Sequence, residues 1–256
     1  MTTGVPPHPV IGIIGGMGPE ATVDLMRRVI ALTPAGDDGD HIHMIVDNNP
    51  KIPSRIATLI EGDGIDPAPE LIRMARGLEA AGATALAIPC NTAHAYAGRI
   101  AAGLTIPLLD MVALTVERIS RLSLPHRRIG MLASTAVKLV GLYDKALAPL
   151  GITLVWPERQ PDLMAVIKAV KRGDTSSANR RAFSAIAGEL MARDVDLLLI
   201  ACTELSVLAS SLDPAAAVVD ALDVLSEEIV ALGLRQPLPL SAVDKPARLD
   251  NPDAGS

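Results

Sequence analysis

Two cysteines occupy matching places in the sequence and have the side chains best suited to proton transfer. Cys90 comes just after the aliphatic run Ala85–Ile88, and Cys202 follows the run Val195–Ala201. Each run predicts a buried strand of a parallel sheet, and ligands bind such sheets at the carboxyl ends of the strands. A helix N-terminus at that position lowers the pKa of a thiol toward neutral pH. Two such thiols on opposite sides of one carbon can invert it, because one removes a proton and the other returns one.

Two other interpretations of the cysteines stay open from the residues alone. Free cysteine is among the most buried residue types, so both thiols can be small apolar side chains of a core. A redox pair is the second alternative, but it requires sulfurs within bonding distance, and the sequence has no Cys-x-x-Cys motif. Two cysteines without histidine ligands are too few for a zinc site, so we expect no metal.

Aliphatic runs alternate with amphipathic segments, and the order repeats in the two halves of the chain. A strand with a glycine turn at Val10–Gly18 recurs as a strand with a small-residue turn at Arg128–Thr135. This alternation predicts parallel sheets. We therefore predict an α/β fold of two similar lobes, each a parallel sheet flanked by helices, with the active site in the cleft between them. One continuous doubly wound sheet is the alternative.

The same patterns predict the elements and the domain limits. Residues 1–110, with a returning tail at 212–256, form the first lobe, and residues 111–211 form the second. The composition after Pro237 predicts a disordered end. The predicted strands are Val10–Ile14, His41–Asp47, Ala85–Ile88, Arg128–Leu132, Thr153–Trp156, Val195–Ala201 and Val218–Val219, and the predicted helices are Glu20–Leu32, Pro69–Ala81, Val137–Leu150, Pro161–Lys171, Ser176–Arg193 and Leu222–Leu232.

The composition excludes several classes of partner. Aromatic residues make up 2% of the chain, which argues against a stacking platform for nucleic acid, and a net charge of −6 argues against a phosphate-backbone binder. No uncharged apolar stretch of about 18 residues is present, so we expect no membrane span. Met1–Pro9 does not have the pattern of a signal peptide, so we expect a cytoplasmic protein that binds a small molecule.

Three motifs together give the sequence a family resemblance. The segments Ile11–Thr22 (IGIIGGMGPEAT), Pro89–His94 (PCNTAH) and Ala201–Leu205 (ACTEL) resemble those of the aspartate/glutamate racemase family, in particular its aspartate-racemase-like branch. The resemblance extends over nearly the whole chain to about Val219. It implies two α/β lobes, catalysis without pyridoxal phosphate, one cysteine from each lobe as the two bases, and a homodimer.

The resemblance also implies cationic contacts for the substrate carboxylates. Arg55 matches the substrate-binding arginine of the family, and a guanidinium can clamp a carboxylate through two hydrogen bonds. Lys171 matches a second cationic contact. Neighbouring Lys168 is its rival, since a lysine near the end of a helix is usually solvated.

Other polar residues near the motifs complete the predicted site. The turn Gly15–Gly18 lacks the G-x-G-x-x-G spacing of a dinucleotide site, so we expect no nucleotide cofactor and interpret it as an anion-accepting turn with Met17 in the pocket. The side chains expected to donate to the substrate carboxylate, where enolate charge develops, are those of Asn91, Thr92 and Thr203. Asn49 and Ser134 are also predicted to bind substrate. His94 and Glu204 are predicted to support the two thiols.

One segment departs from the family pattern. Where the family often has a Thr-x-Gly-Thr turn, this chain has Ser134–Val137, which keeps one hydroxyl and replaces the other with valine. A contact to a carboxylate is therefore weakened, and the substrate side chain can be less acidic or differently placed.

We predict a cofactor-independent racemase of aspartate or glutamate type that works through a pair of cysteines. The alternatives on the same scaffold are a cysteine-dependent isomerase or decarboxylase and a hydantoin racemase. A non-catalytic dicarboxylate-binding protein is the alternative outside the enzymes.

Overall fold

The computed structural model describes residues 8–234, so the predicted disorder after Pro237 lies outside the described part of the chain. The strands are β1 Val10–Gly15, β2 His43–Asn48, β3 Ala85–Ala87, β4 Leu108–Leu109, β5 Arg128–Ala133, β6 Thr153–Val155, β7 Leu197–Ala201 and β8 Val218–Asp220. The helices are α1 Pro19–Leu32, α2 Ala68–Ala80, α3 Ala97–Ala101, α4 Met111–Ser120, α5 Thr135–Val140, α6 Leu142–Leu147, α7 Gln160–Val170, α8 Ser177–Met191, α9 Thr203–Ser206 and α10 Ala221–Leu234.

The strands form two four-stranded parallel sheets with the same internal order. The first sheet has the order β2-β1-β3-β4, and the second has the order β6-β5-β7-β8. Ile11 lies opposite Ala85 in the first sheet, and Ile129 lies opposite Leu197 in the second, so the two central pairs correspond. The predicted α/β fold of two similar lobes is confirmed, and the single continuous sheet is excluded.

Helices cover both faces of each sheet, and the last helix of each half packs onto the other half. Helix α10 follows the second sheet but contributes Leu225 and Ile229 to the core around β1 and β3. Helix α4 follows the first sheet but contributes Val112 and Ile119 to the core around β5 and β7. We call the first sheet with α1, α2, α3 and α10 the first lobe, and the second sheet with α4 to α9 the second lobe. Within residues 8–234, no helix is both long and apolar enough to cross a bilayer.

The tail of the chain divides between the two lobes. Helix α10 returns to the first lobe, as we predicted for residues 212–256, but strand β8 is the edge strand of the second sheet, where Leu199 pairs with Val219. That part of the predicted division is wrong, because the edge of β7 that does not pair with β5 needs a neighbouring strand, and β8 is the next strand in the chain, reached through α9. The other domain limits stay a prediction.

One predicted helix is divided in the structure, and another helix of the structure was not predicted. The single helix expected over Val137–Leu150 is interrupted at Gly141, whose φ of +66° belongs to the left-handed region. Glycine adopts that conformation without steric cost, so α5 ends there and α6 starts anew. Helix α4 was not predicted, although Asp110 accepts hydrogen bonds from the backbone amides of Val112 and Ala113 as an N-cap residue does.

Each lobe has in its core a helix that follows the sheet of the other lobe, α4 in the second lobe and α10 in the first. We call this arrangement the exchange of α4 and α10, and it predicts that the lobes unfold together. Leu225 is fully buried in the first lobe, whereas Leu139 on α5 is 60% exposed. Replacing Leu225 with alanine is expected to lower the free energy of unfolding by about 2–5 kcal/mol, and Leu139→Ala by less than about 0.5 kcal/mol. Urea unfolding followed by the fluorescence of Trp156, which packs in the second lobe, measures both. An unchanged Trp156 transition in Leu225→Ala would contradict the shared core.

Candidate active site

The two cysteines begin equivalent turns at the carboxyl ends of β3 and β7. Cys90 precedes a 3₁₀-helical turn at Asn91–Tyr96, and its φ and ψ are −156° and 108°. Cys202 precedes α9 with φ and ψ of −148° and 114°. The near-identical backbone angles show that the repeated sequence pattern gives a repeated local structure. Each thiol is therefore presented in the same way by its own lobe.

Both thiols line one cavity between the lobes. The first lobe contributes Met17, Ser54, Arg55, Ile56, Cys90 and Thr92 to its wall, and the second lobe contributes Ser134, Ile167, Lys171, Cys202 and Glu204. Each cysteine is 7% exposed, so neither is sealed completely from the cavity. A ligand in this space contacts two thiols and two cationic side chains.

Cys202 belongs to a chain of three polar groups, of which Cys202 and Glu204 are buried and Lys171 is partly exposed. Its thiol donates a hydrogen bond to Oε2 of Glu204 at 3.1 Å, and Nζ of Lys171 lies 3.2 Å from Oε1 of the same carboxylate. Glu204 is 5% exposed. The carboxylate therefore contacts the second thiol directly, as we predicted for a supporting residue, and its charge is balanced by the lysine.

The expected lowering of the thiol pKa is wrong for Cys202. Burial and the neighbouring carboxylate of Glu204 raise the pKa of Cys202 well above its ordinary value, although Lys171 acts in the opposite direction. Helix α9, which Cys202 precedes, is only four residues long, so its dipole does not overcome the loss of hydration. The Cys202 thiol therefore keeps its proton at neutral pH.

Lys171 is a charged group held at the edge of the cavity. Burial lowers the pKa of Lys171, but Glu204 and the two thiols raise it by more, so the net shift is upward. Lys171 lines the cavity and pairs with Glu204, whereas Lys168 does not line the cavity. The structure therefore brings Lys171, and not its rival, to the cavity.

Arg55 lines the cavity with part of its guanidinium unused. Its Nη1 donates to the carbonyl of Pro53 at 3.1 Å, while its buried Nε has no hydrogen-bond partner among the described residues. Buried polar atoms without a partner are rare in folded proteins. The guanidinium of Arg55 therefore keeps unused hydrogen-bonding capacity at the wall of the cavity.

His94 holds the backbone of the Cys90 turn and does not contact the thiol by a hydrogen bond. Its Nδ1 lies 2.9 Å from the carbonyl oxygen of Cys90, and its Nε2 lies 3.0 Å from the backbone nitrogen of Met111. The Met111 amide can only donate and the Cys90 carbonyl can only accept, so the ring is neutral with its proton on Nδ1. Its supporting role is positional: it ties the first cysteine turn to the start of α4.

Two buried hydrogen bonds join the cysteine turns across the lobes. The hydroxyl of Thr203, next to Cys202, donates to the carbonyl of Pro89 at 3.0 Å. The hydroxyl of Tyr143 donates to Oδ1 of Asn91, next to Cys90, at 2.6 Å. Thr92 lines the cavity, and Thr203 and Asn91 are buried behind its wall. The Thr203 bond fixes one cysteine turn relative to the other, and the Tyr143 bond fixes the Cys90 turn relative to α6.

Asn49 is not among the residues that line the cavity. Its Nδ2 donates to Oε1 of Glu70 at 2.7 Å, and its Oδ1 accepts from the backbone amide of Lys51 at 2.9 Å. The predicted substrate contact stays a prediction. Its backbone has a different role. Gly16 has a φ of +92°, and a Cβ there would lie 2.2 Å from the carbonyl oxygen of Asn49. The glycine turn therefore packs against the end of β2 and carries Met17 into the cavity.

The segment Ser134–Val137, which differs from the family pattern, forms the start of α5. Ser134 lines the cavity and its hydroxyl accepts from the backbone amide of Val137 at 3.4 Å, as an N-cap residue does. Val137 is 1% exposed and packs in the core of the second lobe. The valine therefore contributes packing where the family pattern has a hydroxyl.

Four residues important for the site were missed in the sequence. Ser54 and Ile56 adjoin Arg55, and Ile167 lies four positions before Lys171, which places both on one helical face. Those spacings were available in the sequence. Tyr143 had no such signal, because its contact with Asn91 depends on how the two lobes pack.

Comparison with known proteins shows similarity to amino-acid racemases. The sequence profile of the family described as Asp/Glu/Hydantoin racemase matches residues 14–229. The broad specificity amino-acid racemase RacX of Bacillus subtilis (strain 168) is 26% identical over 227 residues, which cover 87% of this chain and 97% of RacX.

Solved structures show the same architecture. The aspartate racemase of Picrophilus torridus has a TM-score of 0.80 and 29% identity, and the match covers 88% of this chain and 94% of that one. The glutamate racemase isoform RacE1 of Bacillus anthracis has a TM-score of 0.64 and 19% identity over 89% of this chain and 82% of that one. The latter similarity concerns the fold alone.

The buried neutral His94 predicts a pH dependence of stability. Burial lowers its pKa below the ordinary value of 6.5. As the pH falls below that value, the unfolded chain binds a proton that the folded chain does not, so the free energy of unfolding decreases. A His94→Gln variant is expected to lose less stability than the wild type between about pH 7.5 and about pH 5. Urea unfolding at each pH measures this, and parallel curves for the two proteins would refute the assignment.

Proposed function

The chain belongs to the Asp/Glu/hydantoin racemase family and is an amino-acid racemase, and we propose that it inverts the α-carbon of an aspartate- or glutamate-type amino acid by two-thiol acid–base chemistry. The observation that carries the proposal is that Cys90 and Cys202, from opposite lobes, line one cavity together with Arg55 and Lys171. The named activities of the relatives support the substrate class.

The environments of the two thiols give them different starting roles. Cys202 donates to Glu204 and is protonated, so it begins as the acid, and Cys90 begins as the base for the enantiomer whose α-hydrogen faces it. The Cys90 thiolate takes the α-hydrogen as a proton, and the C–H electron pair moves into the substrate carboxylate as an enolate. Cys202 then gives its proton to the opposite face of the carbon. The reverse reaction exchanges the roles.

Lys171 stabilises the site when the two thiols reverse their roles as acid and base. After Cys202 has lost its proton, its thiolate lies beside the carboxylate of Glu204, and two like charges at that distance repel. The ammonium group of Lys171 contacts the carboxylate and offsets the repulsion. We assign Lys171 this balancing role in addition to its contact with an anionic substrate.

The substrate is held by donors around the cavity. Arg55 has a free Nε and binds a carboxylate, and Thr92 lines the wall beside Cys90. The apolar wall formed by Met17, Ile56 and Ile167 shields the reacting carbon from water. The name of RacX indicates that a family member can accept several side chains, so the test for substrate uses acidic, neutral and basic amino acids.

Assembly and location stay predictions. We expect a homodimer from the resemblance and a cytoplasmic protein from the composition. Sedimentation velocity of the purified chain measures the first, with a monomer across the concentrations used contradicting it.

The two-thiol proposal predicts the effect of single cysteine changes. Cys90→Ala and Cys202→Ala are each expected to lower racemisation by at least about 1,000-fold, because either one removes the acid or the base in both directions. Chiral chromatography of the amino-acid panel measures the rate, and circular dichroism checks the fold. Near-normal turnover by either variant would contradict the mechanism, and wild-type protein that racemises none of the panel would favour a binding protein.

The ion pair predicts different effects for two lysines on one helix. Lys171→Ala is expected to lower kcat/KM by about 100-fold, because it removes a substrate contact and leaves Glu204 buried without its counter-charge. Lys168→Ala, one turn away and exposed, is the matched control and is expected to stay within about twofold of the wild type. Equal losses in the two variants would exclude a specific role for Lys171.

A further inference from the structure

A buried tyrosine of the second lobe contacts the residue next to Cys90. Tyr143 on α6 is fully buried, and its hydroxyl donates to Oδ1 of Asn91 at 2.6 Å. Asn91 belongs to the first lobe and is 2% exposed. The bond therefore joins a side chain of one lobe to the catalytic turn of the other in a space without solvent.

The direction of this bond determines which way the amide points. The Tyr143 hydroxyl lies against the oxygen of the amide and donates to it. Burial raises the pKa of Tyr143 well above its ordinary value, so the hydroxyl keeps the proton that this bond requires. A donor selects the oxygen of the amide and leaves the two N–H groups on the other side. Nδ2 of Asn91 is indeed buried without a hydrogen-bond partner among the described residues.

An unpaired buried N–H group beside an active site requires an explanation. Asn91 lies between Cys90 and Thr92, and both of these neighbours line the cavity. A substrate carboxylate that binds beside Cys90 would supply the hydrogen-bond acceptor that the N–H groups of Asn91 lack. We propose that Tyr143 is a positioning residue, which holds the Asn91 amide with its N–H groups free for the substrate carboxylate; this rests on the proposed function.

The benefit of this arrangement is greatest in the transition state. Removal of the α-hydrogen places a second negative charge on the carboxylate, so a donor already aimed at it stabilises the transition state more than the bound substrate. A hydroxyl that only orients the donor therefore affects kcat more than KM. A tyrosine with a purely structural role would change the stability of the protein and leave kcat of the folded enzyme intact.

The test compares three variants with the wild type. Tyr143→Phe is expected to lower kcat about 10-fold with KM changed by less than about threefold, because the amide loses its orientation. Asn91→Asp keeps the acceptor for Tyr143 and removes the N–H donor, so kcat is expected to fall at least as far. In an Asn91→Ala background, Tyr143→Phe is expected to change kcat by less than about twofold.

Tyr96→Phe is the matched control, since it removes a buried hydroxyl that has no hydrogen-bond partner within residues 8–234. Its kcat is expected to equal that of the wild type. Wild-type kcat in Tyr143→Phe or in Asn91→Asp, or the same loss from Tyr143→Phe with and without Asn91, would overturn the inference. Should Tyr143→Phe not fold, the Asn91→Asp result decides. Failure of the proposed function is separate, because it shows as a wild-type enzyme that racemises none of the amino-acid panel.

Discussion

The structure depends on buried hydrogen bonds that hold two separate turns at one spacing. In the proposed mechanism, a proton leaves one face of a carbon and returns to the other, which requires both thiols to stay within reach of that carbon. The bond from Thr203 to the Pro89 carbonyl ties the two cysteine turns directly, and the bond from Tyr143 to Asn91 ties the first turn to the second lobe. Because these groups are buried, breaking either bond leaves an unsatisfied polar atom, which makes the spacing costly to change.

The exchange of helices α4 and α10 supports this spacing at the level of the fold. Each lobe completes its core with a helix that follows the other lobe's sheet in the chain. His94 connects the exchange to the site, since it bridges the Cys90 turn and the first residue of α4. The two halves are similar in topology, yet their sites differ: a carboxylate contacts Cys202, and a neutral ring supports the backbone of Cys90. In the proposed mechanism, this difference lets Cys202 start as the acid.

Local patterns in the sequence were sufficient for the strands and for the position of the cysteines. Long aliphatic runs such as Leu197–Ala201 predict buried strands, and the turn after each run carries the thiol. Features that depend on tertiary packing were not predictable: the place of β8, the elevated pKa of Cys202, and the turning of Asn49 toward Glu70. The two-residue strand β4 is too short to show any periodicity. Each of these features depends on contacts between residues that are far apart in the sequence.

The most direct measurement of the two-thiol geometry is isotope exchange in D₂O during the first few per cent of turnover. One enantiomer is supplied, and both the product and the recovered substrate are analysed for deuterium at the α-carbon. Thiols on opposite faces predict a product that carries one deuterium and a recovered substrate that keeps its hydrogen. Deuterium appearing in the recovered substrate as fast as in the product, or a product that retains the original hydrogen, would show that a single group transfers the proton.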